Sequence, residues 1–374
     1  MKTALLLSAR PAVAFTAMGG LWGAYAAYVP VIKAQIGAGD WVFGSVLVAA
    51  AMGLMAAMFW AQAYDRLMGR FGLPLGMVML AGAFLFPGVM HSPLTFAAAM
   101  IVVASASGTV DIAMNARVSE IEAAKGRSLM NFAHGMFSVG YAAGAITAGL
   151  AREAGLPPLW CFAALFVVIA VAAPFSAIAP DDSTEPGTAK PASLPLPLLF
   201  AGGGIILLAF MTEGATEAWS ALHIERGLGG GAAEGAMGPA TLGVTMAIGR
   251  FGGQAIAGWL GEARLLKIFS CLAALGAWLA AAAGSPGVAY IGFGILGLGV
   301  SAIAPTALAL VGRRAAKGTR TQTIARISVI GFSGFFFGPP LMGGLSEVFG
   351  LATAFAVLGF AILGVLPLLL VLRR

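Results

Sequence analysis

Apolar runs long enough to cross a bilayer follow one another along almost the entire chain. A hydrocarbon core of about 30 Å requires about 20 apolar residues per helix. Six runs of that size occupy the first half of the sequence, at 11–33, 41–62, 73–90, 94–116, 129–151 and 158–179. Six more occupy the second half, at 196–222, 236–258, 268–284, 287–311, 321–345 and 350–371. The pattern predicts an all-α polytopic membrane protein with twelve transmembrane helices.

The composition excludes a soluble protein of this size. Of the 374 residues, 60% are hydrophobic and only 10% are charged, whereas soluble domains carry about 25% charged residues. The excess apolar surface therefore has to face the lipid bilayer. The net charge of +6 comes from Lys and Arg in short connectors between the runs, and not from one basic surface, so we expect no nucleic-acid partner.

The longest pause in the apolar pattern divides the chain into two. Residues 180–195 concentrate charge, Pro, Ser and Thr, which is typical of a flexible connection. We therefore predict an N-terminal six-helix bundle at 1–179, a linker at 180–195 and a C-terminal six-helix bundle at 196–374.

Basic residues are distributed unevenly between the two faces of the predicted spans. Sixteen lie on the side of the termini, whereas Lys33, Arg152 and Arg226 lie on the other side. Because cytoplasmic loops carry the excess of Lys and Arg, we expect both termini and the linker to be cytoplasmic. The short loops favour a protein of the bacterial cytoplasmic (inner) membrane.

Four residues near the fifth span recur near the eleventh span at one constant offset. The pairs, each 194 residues apart, are Gly140 with Gly334, Gly144 with Gly338, Gly149 with Gly343 and Glu153 with Glu347. Two halves with the same order and sidedness predict a parallel pseudo-repeat, as found in secondary transporters.

The loop after the second span carries a family resemblance. Its sequence, DRLMGR at 65–70, resembles the signature loop of the major facilitator superfamily, as does the six-plus-six plan. Two departures stand out: Ala61 replaces the first glycine of the signature, and the spacer before the final Gly-Arg has two residues instead of one. The resemblance implies a secondary transporter with a central site between two bundles.

Longer motifs resemble the fucose permease-like branch of that superfamily, including its members of unassigned substrate. They are IAMNARVSEIE at 112–122, GRSLMNFAHGMFSVGYAAGA at 126–145, EGATEAWSAL at 213–222 and GRFGG at 249–253. None of these motifs names a substrate.

Ionisable side chains inside the predicted spans are costly, at about 2.5–3.5 kcal/mol each at a helix centre. Glu213 and Glu217 share one face of the seventh span because they are one turn apart. Either carboxylate can load a proton or bind a hydroxylated or cationic solute, and the alternative is an acid tied to a neighbouring helix. Arg250 requires an anion, which can be Glu213, Asp111 or an acidic group on the substrate.

Aromatic and polar side chains add further candidates for substrate contact. Trp22 and Tyr25 in the first span and Trp219 in the seventh can stack on a sugar ring or surround a cation, unless they form an interfacial aromatic belt. A polar cluster between the fourth and fifth spans can relay protons, contact substrate or simply join helices. Its members are Asp111, Asn115, Asn131 and His134.

The resemblance also implies a gating role for charges near the cytoplasmic ends of the second span of each half. In the superfamily such charges hold the two bundles together in the outward-open state. The residues concerned are Asp65, Arg66, Arg70, Glu262 and Arg264.

Several kinds of chemistry lack a motif in this sequence. GxxxxGK[ST] and HExxH are both absent, so we expect neither ATP hydrolysis by this chain nor a metal site, and no cofactor.

We therefore expect a monomeric, proton-coupled symporter that moves a sugar-like or other small polar solute by alternating access, and no enzymatic activity. An exporter of amphipathic or cationic compounds is the alternative. Two other classes stay open: a non-transporting membrane sensor on the same scaffold, and an intramembrane enzyme using Asp111 with His134.

Overall fold

The computed structural model describes residues 2–180, 196–314 and 320–373, and the regular secondary structure in these ranges is helical. Within them, seven α-helices precede the linker: α1 (Lys2–Gln35), α2 (Asp40–Val46), α3 (Val48–Met68), α4 (Gly72–Ala83), α5 (Pro93–Lys125), α6 (Met130–Glu153) and α7 (Pro158–Ala172). Eight follow it: α8 (Leu196–Leu222), α9 (Ala232–Leu260), α10 (Glu262–Ala281), α11 (Pro286–Val300), α12 (Ile303–Arg314), α13 (Arg320–Phe332), α14 (Gly334–Ile362) and α15 (Val365–Arg373). The predicted linker, after Pro180, lies outside the described residues.

Eight segments of the described chain are long and apolar enough to cross a membrane. Two of them, Asp40–Val89 and Arg326–Leu372, have 50 and 47 residues, about twice what one crossing requires. The second is interrupted at Gly350, whose φ of 82° breaks the helical path of α14. Helices α6 and α9, with 24 and 29 residues, are additional to these eight. An all-helical membrane protein is confirmed, and the number twelve stays a prediction.

Helix breaks fall inside two apolar runs that were each predicted to form one continuous span. The run at 41–62 is divided at Leu47, between α2 and α3, and the run at 321–345 is divided at Ser333, between α13 and α14. Hydropathy does not reveal these breaks because the residues on either side of each break are apolar.

We call the face at which α1 begins the terminal face, and the face at which α1 ends and α2 begins the distal face. Glycines bring α6 against α1 between these faces. A Cβ added to Gly140 would lie 2.1 Å from the carbonyl oxygen of Thr16, and one added to Gly144 would lie 2.0 Å from that of Gly20. Only glycine permits such backbone contact, which close packing of membrane helices exploits.

Helices α14 and α8 approach each other in the same way. A Cβ added to Gly334 would lie 2.4 Å from the carbonyl oxygen of Leu207, and one added to Gly338 would lie 2.9 Å from that of Met211. The two glycines of α14 thus contact two positions one turn apart on α8, as the glycines of α6 do on α1.

The two halves of the chain meet through α6 with α9 and through α2 with α14. Gly135 lies against the ring of Phe251, and Gly149 lies against Ala236, so α6 follows α9 over most of its length. On the distal side, a Cβ added to Gly44 would lie 2.5 Å from the carbonyl oxygen of Pro339. Between these contacts the halves enclose a central cavity.

Replacing Gly140 by Ala should destabilise the protein because its new methyl group cannot fit against Thr16. We expect a loss of about 1–3 kcal/mol, as for other overpacked sites, seen as a lower melting temperature of the purified protein in detergent. Gly287→Ala is the control, since a Cβ there has no neighbour within 4 Å. Equal melting temperatures of the two variants would contradict the assigned α1 and α6 contact.

Candidate functional site

A cavity of about 540 Å³ lies between the two halves of the chain. Helices α1, α3, α5 and α6 of the first half line it together with α8, α9, α12, α13 and α14 of the second. Eight of the predicted site residues are among its lining: Trp22, Tyr25, Asp111, Asn115, His134, Glu213, Glu217 and Arg250. Asn131 and Trp219, which were predicted with them, are not.

Arg250 of α9 connects the two halves at this cavity. Its Nη2 donates to Glu213 Oε1 at 2.9 Å, and its Nη1 donates to Ser138 Oγ at 2.6 Å and to the carbonyl oxygen of His134 at 3.4 Å. The structure therefore supplies Glu213 as the anion, one of the three partners considered from the sequence. Because Ser138 and His134 belong to α6, the guanidinium also ties α9 to the first half.

Glu217 lies one turn from Glu213 on α8 and is half-buried. No hydrogen bond or ion pair reaches its carboxylate from the described residues, although Glu213 and Arg250 are within electrostatic range. Of the two carboxylates, Glu213 is thus neutralised by a direct ion pair, and Glu217 stays available to a ligand or a proton.

Two tyrosine hydroxyls in the cavity wall have no hydrogen-bond partner in the described part of the chain. They belong to Tyr25 of α1 and Tyr141 of α6, which are 4% and 2% exposed. Tyr141 lies within electrostatic range of both Glu213 and Glu217. Buried polar groups normally find partners, so these hydroxyls are candidates for contact with a ligand.

Trp22 presents its ring to the cavity, because its Nε1 already donates to Ser107 Oγ at 3.0 Å. Edge contacts with Tyr25 and Phe84, at centroid distances of 5.7 and 5.3 Å, fix its orientation. Trp219 lies elsewhere: it is fully buried against Phe43, 5.7 Å away. Trp219 is therefore placed as a packing residue, and not in the cavity wall.

The predicted polar cluster is divided by the structure. Asn115 Nδ2 donates to Asp111 Oδ1 at 3.0 Å and to its carbonyl oxygen at 2.9 Å, so the hydrogen bond to the Asp111 carboxylate comes from its own helix, α5. His134 packs edge-on against Phe15 at 5.2 Å. A hydrogen bond between Asp111 and His134 is not among those of the described residues, so the geometry gives this pair no shared proton.

On the distal face, ion pairs join the two halves. Arg226 donates to both carboxylate oxygens of Asp40, at 2.6 and 2.8 Å, and Lys33 lies 2.9 Å from the same carboxylate. Arg152 forms a second two-point ion pair with Glu225, at 2.7 and 2.9 Å. Glu225 and Arg226 lie in a π-helical turn that follows α8.

Two glutamates cap helices of the opposite half on this face. Glu347 of α14 accepts hydrogen bonds from the backbone N–H groups of Asp40 and Trp41, at 2.7 and 3.1 Å, where α2 begins. Glu153 of α6 accepts one from Ala233, at 3.2 Å, where α9 begins. A carboxylate at a helix N-terminus satisfies free N–H groups and complements the helix dipole. These contacts and the ion pairs hold the two halves together on the distal face.

The predicted gating charges lie on the terminal face, and the two acids among them pair within their own half of the chain. Asp65 accepts a two-point hydrogen bond from Arg117, at 2.6 Å to each oxygen, and Glu262 forms an ion pair with Arg313. Arg70 lies over the ring of Phe71. Their role in joining the halves stays a prediction about another conformation.

Ser138, Tyr141 and the distal ion pairs of Asp40 and Glu225 were not predicted from the sequence. Ser138 and Tyr141 sit one and two turns beyond His134 on α6, which is a signal that could have found them. Of the distal pairs, only the basic residues Arg152 and Arg226 entered the prediction, as charges of that face. Among the described residues, no group of three or more His, Cys, Asp or Glu side chains is placed to hold a metal ion.

Comparison with known proteins identifies the family of this chain through its relatives. No family model matches the chain. An uncharacterized MFS-type transporter of Yersinia pestis is 30% identical over 364 residues, which cover 94% of this chain and 92% of the relative. Membrane protein MosC of Rhizobium meliloti is 26% identical over 344 residues, covering 90% of this chain and 83% of MosC.

Solved structures share the fold at low identity. The nucleoside transporter NupG superposes with a TM-score of 0.72 at 12% identity, over 98% of this chain and 99% of NupG. A bacterial homolog of the human lysosomal transporter Spinster, inward-facing and occupied, gives 0.65 at 15% identity, over 99% and 94% of the two chains. Since the identity to the Yersinia pestis protein extends over nearly the whole of both chains, this integral membrane protein belongs to the MFS-type transporter family, the major facilitator superfamily.

Proposed function

We propose that the protein is a secondary active transporter that moves a small organic solute by alternating access, coupled to protons. The observation that carries the proposal is the charged centre of the cavity. Arg250 holds Glu213 of one half and Ser138 of the other, beside the unpaired carboxylate of Glu217. A proton on Glu213 would remove the countercharge of Arg250 and so change the contact between the halves.

We further propose twelve spans in two six-helix bundles, at 1–179 and 196–374, joined by the linker and related by a parallel pseudo-repeat. The glycine contacts support this. Gly140 and Gly144 meet Thr16 and Gly20, and their counterparts 194 residues later meet α8 one turn apart. Glu153 and Glu347, another predicted pair, both cap a helix of the opposite half.

The basic residues of the connectors support a cytoplasmic terminal face and location in the bacterial inner membrane. The distal face would then be external, and the distal contacts would close the transporter to the outside. In this orientation the cavity is that of an inward-facing transporter, the state named for the Spinster homolog. A monomer suffices, since both bundles come from one chain.

Membership of the fucose permease-like branch is supported by sequence motifs alone. Two classes of solute are candidates for this transporter. Likeness to NupG, a nucleoside transporter, keeps a hydroxylated polar solute as a candidate for this chain. The unpaired Glu217 and the aromatic walls favour the other class, amphipathic or cationic compounds. An intramembrane enzyme is disfavoured because Asp111 and His134 do not pair, and a sensor would bind solute without flux.

Proton coupling predicts different outcomes for two transport assays of Glu213→Gln. The purified protein is first screened by thermal shift with sugars, nucleosides and amines, and each hit is then tested in liposomes. We expect counterflow of a hit to continue in the variant and accumulation driven by a pH gradient to be lost, because the amide cannot carry the proton. Accumulation equal to the wild type would rule out Glu213 as the proton site.

The Arg250 and Glu213 pair should show strong energetic coupling. Removing one partner of a buried pair costs about 3–5 kcal/mol, so Glu213→Gln and Arg250→Gln should each lower the melting temperature. The double variant should lose less than the sum of the single losses, because no charge is left unpaired. Additive losses would mean that the ion pair does not form.

Loss of the Glu347 cap should open the distal face. With Cys161 and Cys271 replaced by Ala, a cysteine is placed in the cavity by Ala218→Cys and labelled in intact cells with an impermeant maleimide. Glu347→Gln should raise the labelling rate about tenfold, since about 1.4 kcal/mol of lost closure changes the open fraction by that factor.

The matched control for that experiment is Glu234→Gln. Glu234 also lies on the distal face, but it accepts from Gly231 of its own half, at 2.8 Å. The labelling rate of Glu234→Gln should equal that of the parent protein. Equal labelling rates in the parent, Glu234→Gln and Glu347→Gln would exclude a gating role for Glu347.

A further inference from the structure

We infer that the solute of this cavity is a protonated organic amine with an aromatic or apolar body. The inference rests on the proposed transport function and names the substrate class of the same cavity. Three observations carry it: the balance of charge in the wall, the unpartnered acceptors, and the apolar surface around them.

The charge balance of the cavity disfavours an anionic solute. Its wall carries the carboxylates of Asp111, Glu213 and Glu217 against one guanidinium, that of Arg250. Arg250 is already engaged, with Nη2 on Glu213 and Nη1 on Ser138. A solute carboxylate or phosphate would have to displace these contacts and approach Glu217, whereas a cation would neutralise Glu217 directly.

The unpartnered polar atoms match the donors of an ammonium group. Within the described residues, Glu217 accepts no hydrogen bond and the hydroxyls of Tyr25 and Tyr141 have no partner. An ammonium group has up to three N–H donors and no acceptor, and these three side chains offer four oxygens that can accept from it, two of them on the Glu217 carboxylate. Tyr141 lies within electrostatic range of Glu217, so the phenol and the carboxylate can face one bound group.

The remaining wall is suited to an apolar body. Aromatic side chains of both halves line it: Trp22, Phe137, Phe210, Phe332 and Phe335. Trp22 offers only its ring because its N–H is bound to Ser107, and ring faces attract cations. A hydroxyl-rich solute would bury many polar groups against this surface, and each group left without a partner would weaken its binding. An amine on an aromatic body buries only one polar group.

The test compares solutes of one shape and three charges. Binding of phenethylamine, 2-phenylethanol and phenylacetate to the purified full-length protein is measured by isothermal titration calorimetry at pH 7, with glucose as a hydroxyl-rich probe. We expect phenethylamine to bind at least about tenfold more tightly than 2-phenylethanol, since charge-assisted hydrogen bonds contribute about 1.5–3 kcal/mol. Equal affinity for the alcohol, or tighter binding of phenylacetate or glucose, would overturn the assignment.

Variants then locate the amine. Glu217→Gln should weaken phenethylamine binding about tenfold and leave 2-phenylethanol within about twofold, which also shows that the cavity is intact. Tyr141→Phe should weaken amine binding about threefold to tenfold. The matched controls are Glu234→Gln and Tyr290→Phe, because Tyr290 donates to the carbonyl oxygen of Glu234 on the distal face. Unchanged amine affinity in Glu217→Gln would refute this placement.

Failure of this inference is distinguishable from failure of the transport proposal. Liposomes containing the protein are tested for flux of radiolabelled phenethylamine and glucose. Amine binding without flux of any bound solute would leave the amine site standing and overturn transport. Flux of glucose without amine binding would overturn the amine site and leave transport standing.

Discussion

A guanidinium buried between the two halves of a membrane protein requires a countercharge and polar acceptors, because neither lipid nor an apolar wall supplies them. Arg250 draws these partners from both halves: Glu213 from α8, and Ser138 with the His134 carbonyl from α6. One guanidinium therefore connects α6 of the first half to α8 and α9 of the second. Under the proposed proton coupling, a proton on Glu213 would leave Arg250 without its countercharge and would thereby change the contact between the halves.

The charged residues of this centre, Arg250 and Glu213, could be predicted from the sequence, whereas the neutral residues Ser138 and Tyr141 could not. A charge inside an apolar run is conspicuous, and few anions were available to Arg250, so Glu213 could be named as a partner. Ser138 and Tyr141 resemble many other hydroxyl residues of membrane helices, and their spacing in the sequence does not indicate which neighbouring helix they face. Trp219 was misplaced for a related reason: depth along a helix was predicted from the sequence, but rotation toward Phe43 was not.

The same limit applies to the fold. Hydropathy located the apolar runs, since lipid selects for composition over about 20 residues. It did not locate the breaks at Leu47 and Ser333, which change the chain path without changing composition. The charges predicted to join the halves, Asp65 and Glu262, pair instead with Arg117 and Arg313. Such partners depend on conformation, which a sequence does not specify.

The capping glutamates have a consequence for the energetics of movement. Glu347 and Glu153 hold the first turns of α2 and α9 at the distal face, where water is adjacent. When the halves separate, both the carboxylates and the released N–H groups become hydrated. Each exchange of a protein partner for solvent therefore costs only about 0.5–1.5 kcal/mol. Under the proposed alternating access, the caps would therefore add only a small part of the cost of opening, beside that of the Arg226–Asp40 and Arg152–Glu225 ion pairs.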